Sequence, residues 1–208
     1  MPSIYWIITT SLIEKDFEKR KEQYIRGIQS VLTLLENTDI KIIIVENNGK
    51  RPTFFEMFSS ECSIYYTENN KLETHYGVKE LYDVLSCIDH FQIQDDDYVI
   101  KMTGRYYLNT SSCPFTDEIK KLNSTNYDTI IKYGWWEKPS SVKVEDCILG
   151  LICMKAKYIK QIDTSFKIDH LEHRWARVTL PIEDKYVKAM DRLGIYISPG
   201  SIPIPFEM

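Results

Sequence analysis

The stretch from Asp95 to Tyr106 holds a dense set of side chains able to do chemistry. Asp95, Asp96 and Asp97 lead into the apolar run Tyr98 to Met102, which ends in Thr103, Gly104, Arg105 and Tyr106. The run is short, β-rich and bounded by breakers, so it reads as a buried strand. Ligands of open α/β sheets bind beyond the carboxyl ends of the strands, which puts Thr103 to Tyr106 at a binding rim. Gly104 allows a sharp turn or a close approach to a ligand. Arg105 carries the planar donor fork that fits a diphosphate. The aspartate run has two readings: a solvated loop or strand turn, or a ligand role.

A second group lies late in the chain, at Asp169, His170, Leu171, Glu172 and His173. Glu172 reads either as a first-turn acid complementing a helix dipole or as a catalytic carboxylate. His170 and His173 are spaced to share a helix face, a weak pattern for a metal. Trp135 and Trp136 suit either a sugar-stacking surface or a satellite core contact. His75, in a polar loop, suits either solvent or a phosphate.

The elements that must position these groups alternate between strand and helix. Ser3 to Thr9 is a continuous apolar run, the mark of a strand covered on both faces. Phe17, Tyr24, Ile25, Ile28, Val31, Leu32 and Leu35 recur at helical spacing between Glu14 and Glu36. Lys41 to Val45 is a second buried strand, stopped by the turn residues Glu46, Asn47, Asn48 and Gly49. Strand, helix, strand in this order implies a right-handed parallel crossover. A third strand is expected at Ser63 to Thr67, and a second helix through Val78, Leu81, Tyr82, Leu85 and Ile88. Further on, strands are expected at Thr129–Tyr133, Cys147–Met154 and Ile195–Ser198, with a short helix over Ala156–Ile162. Ile168, Leu171, Trp175 and Val178 predict a helix from near Asp169. Ile182, Tyr186, Val187, Met190 and Leu193 predict another, stopped by Gly194.

The 208 residues suit a single domain, residues 1–208, with a 43% hydrophobic content that can bury a core. A net charge of -4 argues against a general nucleic-acid binder. The 5 cysteines include no Cys-x-x-Cys pair, which points to core thiols in a reducing compartment. No secretory signal and no apolar span of roughly 20 residues is visible, so a cytoplasmic location is expected. The 14 tyrosines fit a ligand-lined surface, or equally a codon bias toward Ile, Lys, Asn and Tyr.

This order of elements, with acid-rich turns after the second and fourth strands, resembles the GT-A fold of nucleotide-sugar glycosyltransferases. The resemblance covers most of the chain as a pattern and implies a Rossmann-like, three-layer α/β sandwich with a mostly parallel central sheet. It implies a nucleotide-binding half over about residues 1–106 and an acceptor half over about 107–208. Thr9, Thr10 and Ser11 match the family's first nucleotide contact loop. Glu46 and Asn47 match its acidic turn near the base and ribose, and Lys79 lies in the helix start that runs beside the nucleotide. The family's metal-binding Asp-x-Asp follows the strand at which this chain has Thr103, Gly104 and Arg105. Either Asp95 and Asp97 carry a manganese or magnesium ion, or Lys101 and Arg105 neutralise the leaving diphosphate. Glu172, with Asp169 second, matches the acid that deprotonates an acceptor hydroxyl in inverting members.

The activity implied is transfer of a sugar from a UDP-, GDP- or dTDP-sugar to a hydroxyl of a glycan or glycoside. A nucleotidyltransferase would need glycines after the first strand, and Leu12 follows Ser11 there instead. A non-catalytic carbohydrate-binding module on the same fold is the remaining alternative.

Overall fold

The computed structural model describes residues 1–13, 17–134, 143–165, 170–197 and 206–208. The chain runs β1 (Ile4–Thr10), α1 (Phe17–Leu35), β2 (Lys41–Glu46), β3 (Ser63–Tyr66), α2 (Tyr76–His90), β4 (Tyr98–Thr103) and β5 (Tyr107–Leu108). It continues through α3 (Pro114–Ile119), β6 (Thr129–Ile131), β7 (Leu151–Lys155), α4 (Ala156–Ile159), α5 (Leu171–Arg177), β8 (Val187–Ala189), β9 (Ile195–Ile197) and β10 (Phe206–Glu207). Seven strands form the main sheet in the order β3-β2-β1-β4-β7-β6-β8, and β10-β9-β5 form a small antiparallel one. The neighbours from β3 to β4 pair in parallel, β7 runs against both β4 and β6, and β8 pairs in parallel with β6.

Side-chain alternation along each strand feeds two separate cores. Trp6, Ile8, Ile44, Ile100 and Met102 face α1 and α3, where they meet Ile28, Val31 and Phe115. Tyr5, Ile7, Ile43, Val45 and Val99 face α2, α4 and α5, where they meet Leu81, Val84, Ala156 and Trp175. The result is a three-layer α/β/α sandwich with a mostly parallel central sheet. Buried isoleucines on this scale contribute roughly 1.5–3 kcal/mol each, so the central strands are the stable frame.

Most expected elements stand where periodicity places them, within a residue or two of their ends. The helix expected over Ile182–Leu193 does not form. Residues Asp184–Tyr186 make one 3-10 turn and Val187–Ala189 become edge strand β8. The open edge of β6 decides this: Asp128 N donates to Tyr186 O and Met190 N donates to Ile131 O, a ladder that local spacing cannot reveal. The expected strand at Cys147–Met154 begins only at Leu151, and Cys147 makes a single bridge to Tyr133. Gly150 breaks it, because the Tyr106 ring lies 2.8 Å from where a Cβ would stand. Strand β6 stops at Ile131 rather than Tyr133, and α4 stops at Ile159 rather than Ile162. Helix α3 and strand β5 were not expected from the sequence. No helix among the described residues is long and apolar enough to cross a membrane.

Candidate active site

The carboxyl ends of β1, β2 and β4 lie side by side, with Thr10 in register with Glu46 and Thr9 in register with Thr103. Gly104 follows β4 and donates its N–H to Thr9 O at 3.0 Å, so the turn into Arg105 folds back across the rim. Gly27 of α1 makes room for that turn: a Cβ there would stand 2.3 Å from Gly104 O and 2.5 Å from Tyr106 O. The turn is therefore clamped between α1 and β1.

Strand parity determines which helix takes each polar side chain. Thr9, Lys101 and Thr103 point toward α2 and converge on Glu80. Lys101 Nζ lies 2.9 Å from Glu80 Oε2, Thr103 Oγ1 donates to Glu80 Oε1 at 3.0 Å, and Thr9 Oγ1 also donates to Oε1. Burial pushes the Glu80 carboxyl up, but the Lys101 ammonium and these hydrogen bonds outweigh it and hold it below the ordinary range. One turn further along α2, Asp83 accepts from Asn47 Nδ2 at 2.9 Å, Thr67 Oγ1 at 2.7 Å and Asn69 Nδ2 at 2.8 Å. None of these donors is a cation, and burial pushes Asp83 up to about 6.

On the α1 side, Glu46 is fully buried. It accepts from Leu12 N at 3.0 Å, Thr10 Oγ1 at 2.9 Å and Asn48 Nδ2 at 2.6 Å, and it pairs with Arg51 Nη2 at 3.0 Å. Glu46 therefore ties the β1 and β2 exits together. This corrects its expected contact with a base or ribose, since its oxygens are saturated inside the protein. Lys101 is corrected in the same way. It is 1% exposed, and its three donors go to Glu80, Thr103 Oγ1 at 2.9 Å and Leu149 O at 2.8 Å. Thr9 and Thr10 are likewise buried with their hydroxyls turned inward. Asn47 is bound to Asp83, and Lys79 Nζ donates to Asn70 O at 2.6 Å. Ser11 remains half-exposed at the rim, where its Oγ accepts from Asn48 Nδ2 at 3.3 Å.

Arg105 behaves differently. It is half-buried, yet its guanidinium makes no hydrogen bond or ion pair with any described residue. It lies within electrostatic reach of the Tyr24 hydroxyl, itself donor to Ser11 O at 3.2 Å, and of the Tyr106 hydroxyl. Glu172, in the first turn of α5, is the second such group; its carboxylate makes no hydrogen bond or ion pair with any described residue. Burial raises the Tyr106 phenol above its ordinary pKa; Arg105 pulls it down, while Glu80, Glu172 and Tyr76 push it up. Arg105 and Glu172 thus both lie within electrostatic reach of the Tyr106 hydroxyl. The α5 terminus is held there by α2, since a Cβ on Gly77 would stand 3.2 Å from Leu171 Cδ2.

Asp95 and Asp97 sit at the amino end of β4, six strand residues away from the rim. Asp95 pairs with Lys160 at 2.6 Å, and Asp97 accepts from Ser3 N at 2.7 Å and Gln94 N at 3.0 Å. They therefore stand at the opposite end of β4 from Thr103 to Arg105, which separates the metal alternative from the rim. Among the described residues no group of three or more His, Cys, Asp or Glu could hold a metal ion. The donor set at Thr103 to Arg105 does not fit a divalent cation. Asp169, Trp135 and Trp136 lie outside the described residues. A cavity of about 700 Å³ also lies at the amino end, lined by Asp89, Gln92, Asp95 and Lys160.

Sequence reading missed the organising roles of Glu80 and Asp83 and gave Tyr106 no role beyond its place at the rim. Its available clue was two acids set one turn apart within the apolar stripe of α2.

No protein-family model matches the chain, and no curated protein matches it. Solved structures do match. Staphylococcus aureus TarS, residues 1–349, superposes with a TM-score of 0.60 at 11% identity, over 94% of this chain and 60% of that one. The same TarS fragment in complex with UDP-GlcNAc matches with a TM-score of 0.58 at 13% identity, over 94% and 58%. Mouse xyloside xylosyltransferase 1 in its apo form matches with a TM-score of 0.57 at 9% identity, over 98% and 99%. The chain spans 60% of the TarS fragment but almost the whole of the mouse chain. The fold is that of the GT-A-like glycosyltransferases.

Proposed function

We propose that the protein transfers a sugar from a nucleoside-diphosphate sugar to a hydroxyl of a glycan or glycoside, with inversion at the anomeric carbon. The observation that carries this reading is a pair of oppositely charged side chains, Arg105 and Glu172, that have no hydrogen-bond or ion-pair partner among the described residues and both act electrostatically on the Tyr106 hydroxyl. A departing diphosphate gains negative charge in the transition state, and a fixed guanidinium aimed at it lowers the barrier. An acceptor hydroxyl attacking from the opposite face must lose its proton, and a carboxylate within one hydrogen bond takes it. Displacement in one step needs no covalent intermediate.

In this reading residues of about 1–106 hold the nucleotide and about 107–208 carry the acceptor side, within one catalytic domain. Ser11 and the Asn48–Asn70 pair, linked by a 2.6 Å hydrogen bond, offer neutral polar contacts to the nucleoside. Thr9, Thr10, Glu46, Asn47, Lys101 and Thr103 shape the rim from beneath, and Gly104 sets the turn. The structural match to TarS bound to UDP-GlcNAc favours UDP among the candidate nucleotides.

The test is thermal: UDP raises the melting temperature of the wild-type chain, and Arg105→Ala removes most of that rise. Arg105 has no hydrogen-bond or ion-pair partner among the described residues to lose, so the variant is expected to keep its own unliganded melting temperature. A UDP shift that survives Arg105→Ala unchanged, or no shift with UDP, GDP or dTDP, defeats the reading.

A further inference from the structure

Tyr76 opens α2 and is 78% exposed, although it is a large aromatic side chain at the edge of the candidate site. Its ring is braced by His75, with centroids 3.8 Å apart. His75 is itself fixed, because its Nδ1 accepts from Gly77 N at 3.3 Å as the helix cap. The next residue, Gly77, packs on Leu171, whose neighbour is Glu172. Tyr76 and Glu172 also both act on the Tyr106 hydroxyl. A braced, solvent-facing aromatic ring therefore stands at the start of α2, where that helix packs against the start of α5, the helix that carries Glu172.

We propose that Tyr76 is the stacking platform of the acceptor subsite, and that the acceptor presents a pyranose ring with one apolar C–H face. Pyranoses with axial hydrogens gathered on one side, as in β-glucosides and β-galactosides, pack flat on aromatic rings while their hydroxyls stay at the rim. A sugar on Tyr76 directs a ring hydroxyl toward Glu172 and away from Arg105. The ring orientation is set in advance by His75, so little side-chain entropy is lost on binding. This proposal rests on the transferase reading above for the identity of its ligand as acceptor.

The experiment measures saturation-transfer NMR from the full chain to methyl β-glucopyranoside and methyl β-galactopyranoside, alongside the UDP-induced melting shift. In the wild type, transfer to at least one glycoside is expected, strongest at the C–H protons of one face. Tyr76→Phe keeps it, and Tyr76→Ala weakens the apparent affinity roughly tenfold. The UDP shift is expected to be the same in all three proteins. Transfer to neither glycoside in the wild type, or undiminished transfer in Tyr76→Ala, overturns the platform. So does loss of the UDP shift in Tyr76→Ala, because the residue then serves the donor or the fold. Absence of the UDP shift in the wild type counts against the transferase reading alone, and the glycoside signal still decides the platform.

Discussion

The two ends of β4 carry charge in opposite ways. At the amino end, Asp95 pairs with Lys160, Asp96 with Lys157 at 3.1 Å, and Asp97 caps two backbone N–H groups. These groups are conspicuous in sequence, and each is neutralised in the fold. At the carboxyl end Glu46, Glu80 and Lys101 are also neutralised, but inside the protein, where an unpaired charge is costly. Arg105 and Glu172 have no partner among the described residues, and both act on the Tyr106 hydroxyl. A cluster of carboxylates says little about chemistry; a half-buried charge without a partner says more, because structure alone gives no reason for it.

That contrast can be broken experimentally. The largest expected effect is on Glu172: Glu172→Gln lowers kcat for sugar transfer by roughly 10²–10⁴ while leaving the UDP melting shift in place. A loss confined to KM would mean that Glu172 binds the acceptor without taking its proton.

Asp83 separates the buried acids from the surface ones through pH. Its carboxyl is pushed up to about 6, so the folded chain holds this proton more tightly than the unfolded chain does. Its contribution to stability is therefore greatest at low pH and falls as pH rises from about 4 through about 6, by on the order of 3 kcal/mol in all. Chemical denaturation of wild type and Asp83→Asn should show the difference between them shifting across that window. A constant difference would mean that Asp83 ionises normally. Glu80 runs the other way: its lowered pKa contributes stability above the ordinary carboxylate range that is lost at acid pH.

The smallest effect belongs to the amino end. Asp95→Asn should change stability by about 0.5 kcal/mol or less and leave transfer rates alone, because an exposed ion pair contributes little. A large loss of activity in Asp95→Asn would reverse the comparison and return the aspartate run to the centre of the mechanism.

Much of the frame was legible in the sequence because it depends on neighbours along the chain. The unbroken apolar runs Ile4–Thr10 and Lys41–Glu46 could only be strands covered on both faces, and the spacing of Tyr24, Ile28, Val31 and Leu35 could only be a helix packed on one side. Arg105 and Glu172 stood out in the sequence as charged residues at the ends of such elements, Arg105 after β4 and Glu172 in the first turn of α5. The apolar positions from Ile182 to Leu193 show where this logic fails. Their spacing is helical, yet the free edge of β6 captured Val187–Ala189.

Sequence by itself determined the order of strands and helices, because apolar periodicity is fixed by local backbone geometry. Only the tertiary structure decided which charges remain available. Lys101 and Glu80 lie 21 positions apart along the chain, and nothing local shows that they will meet. Strand parity and the seat of α2 bring them together, and that pairing takes Lys101 away from the rim.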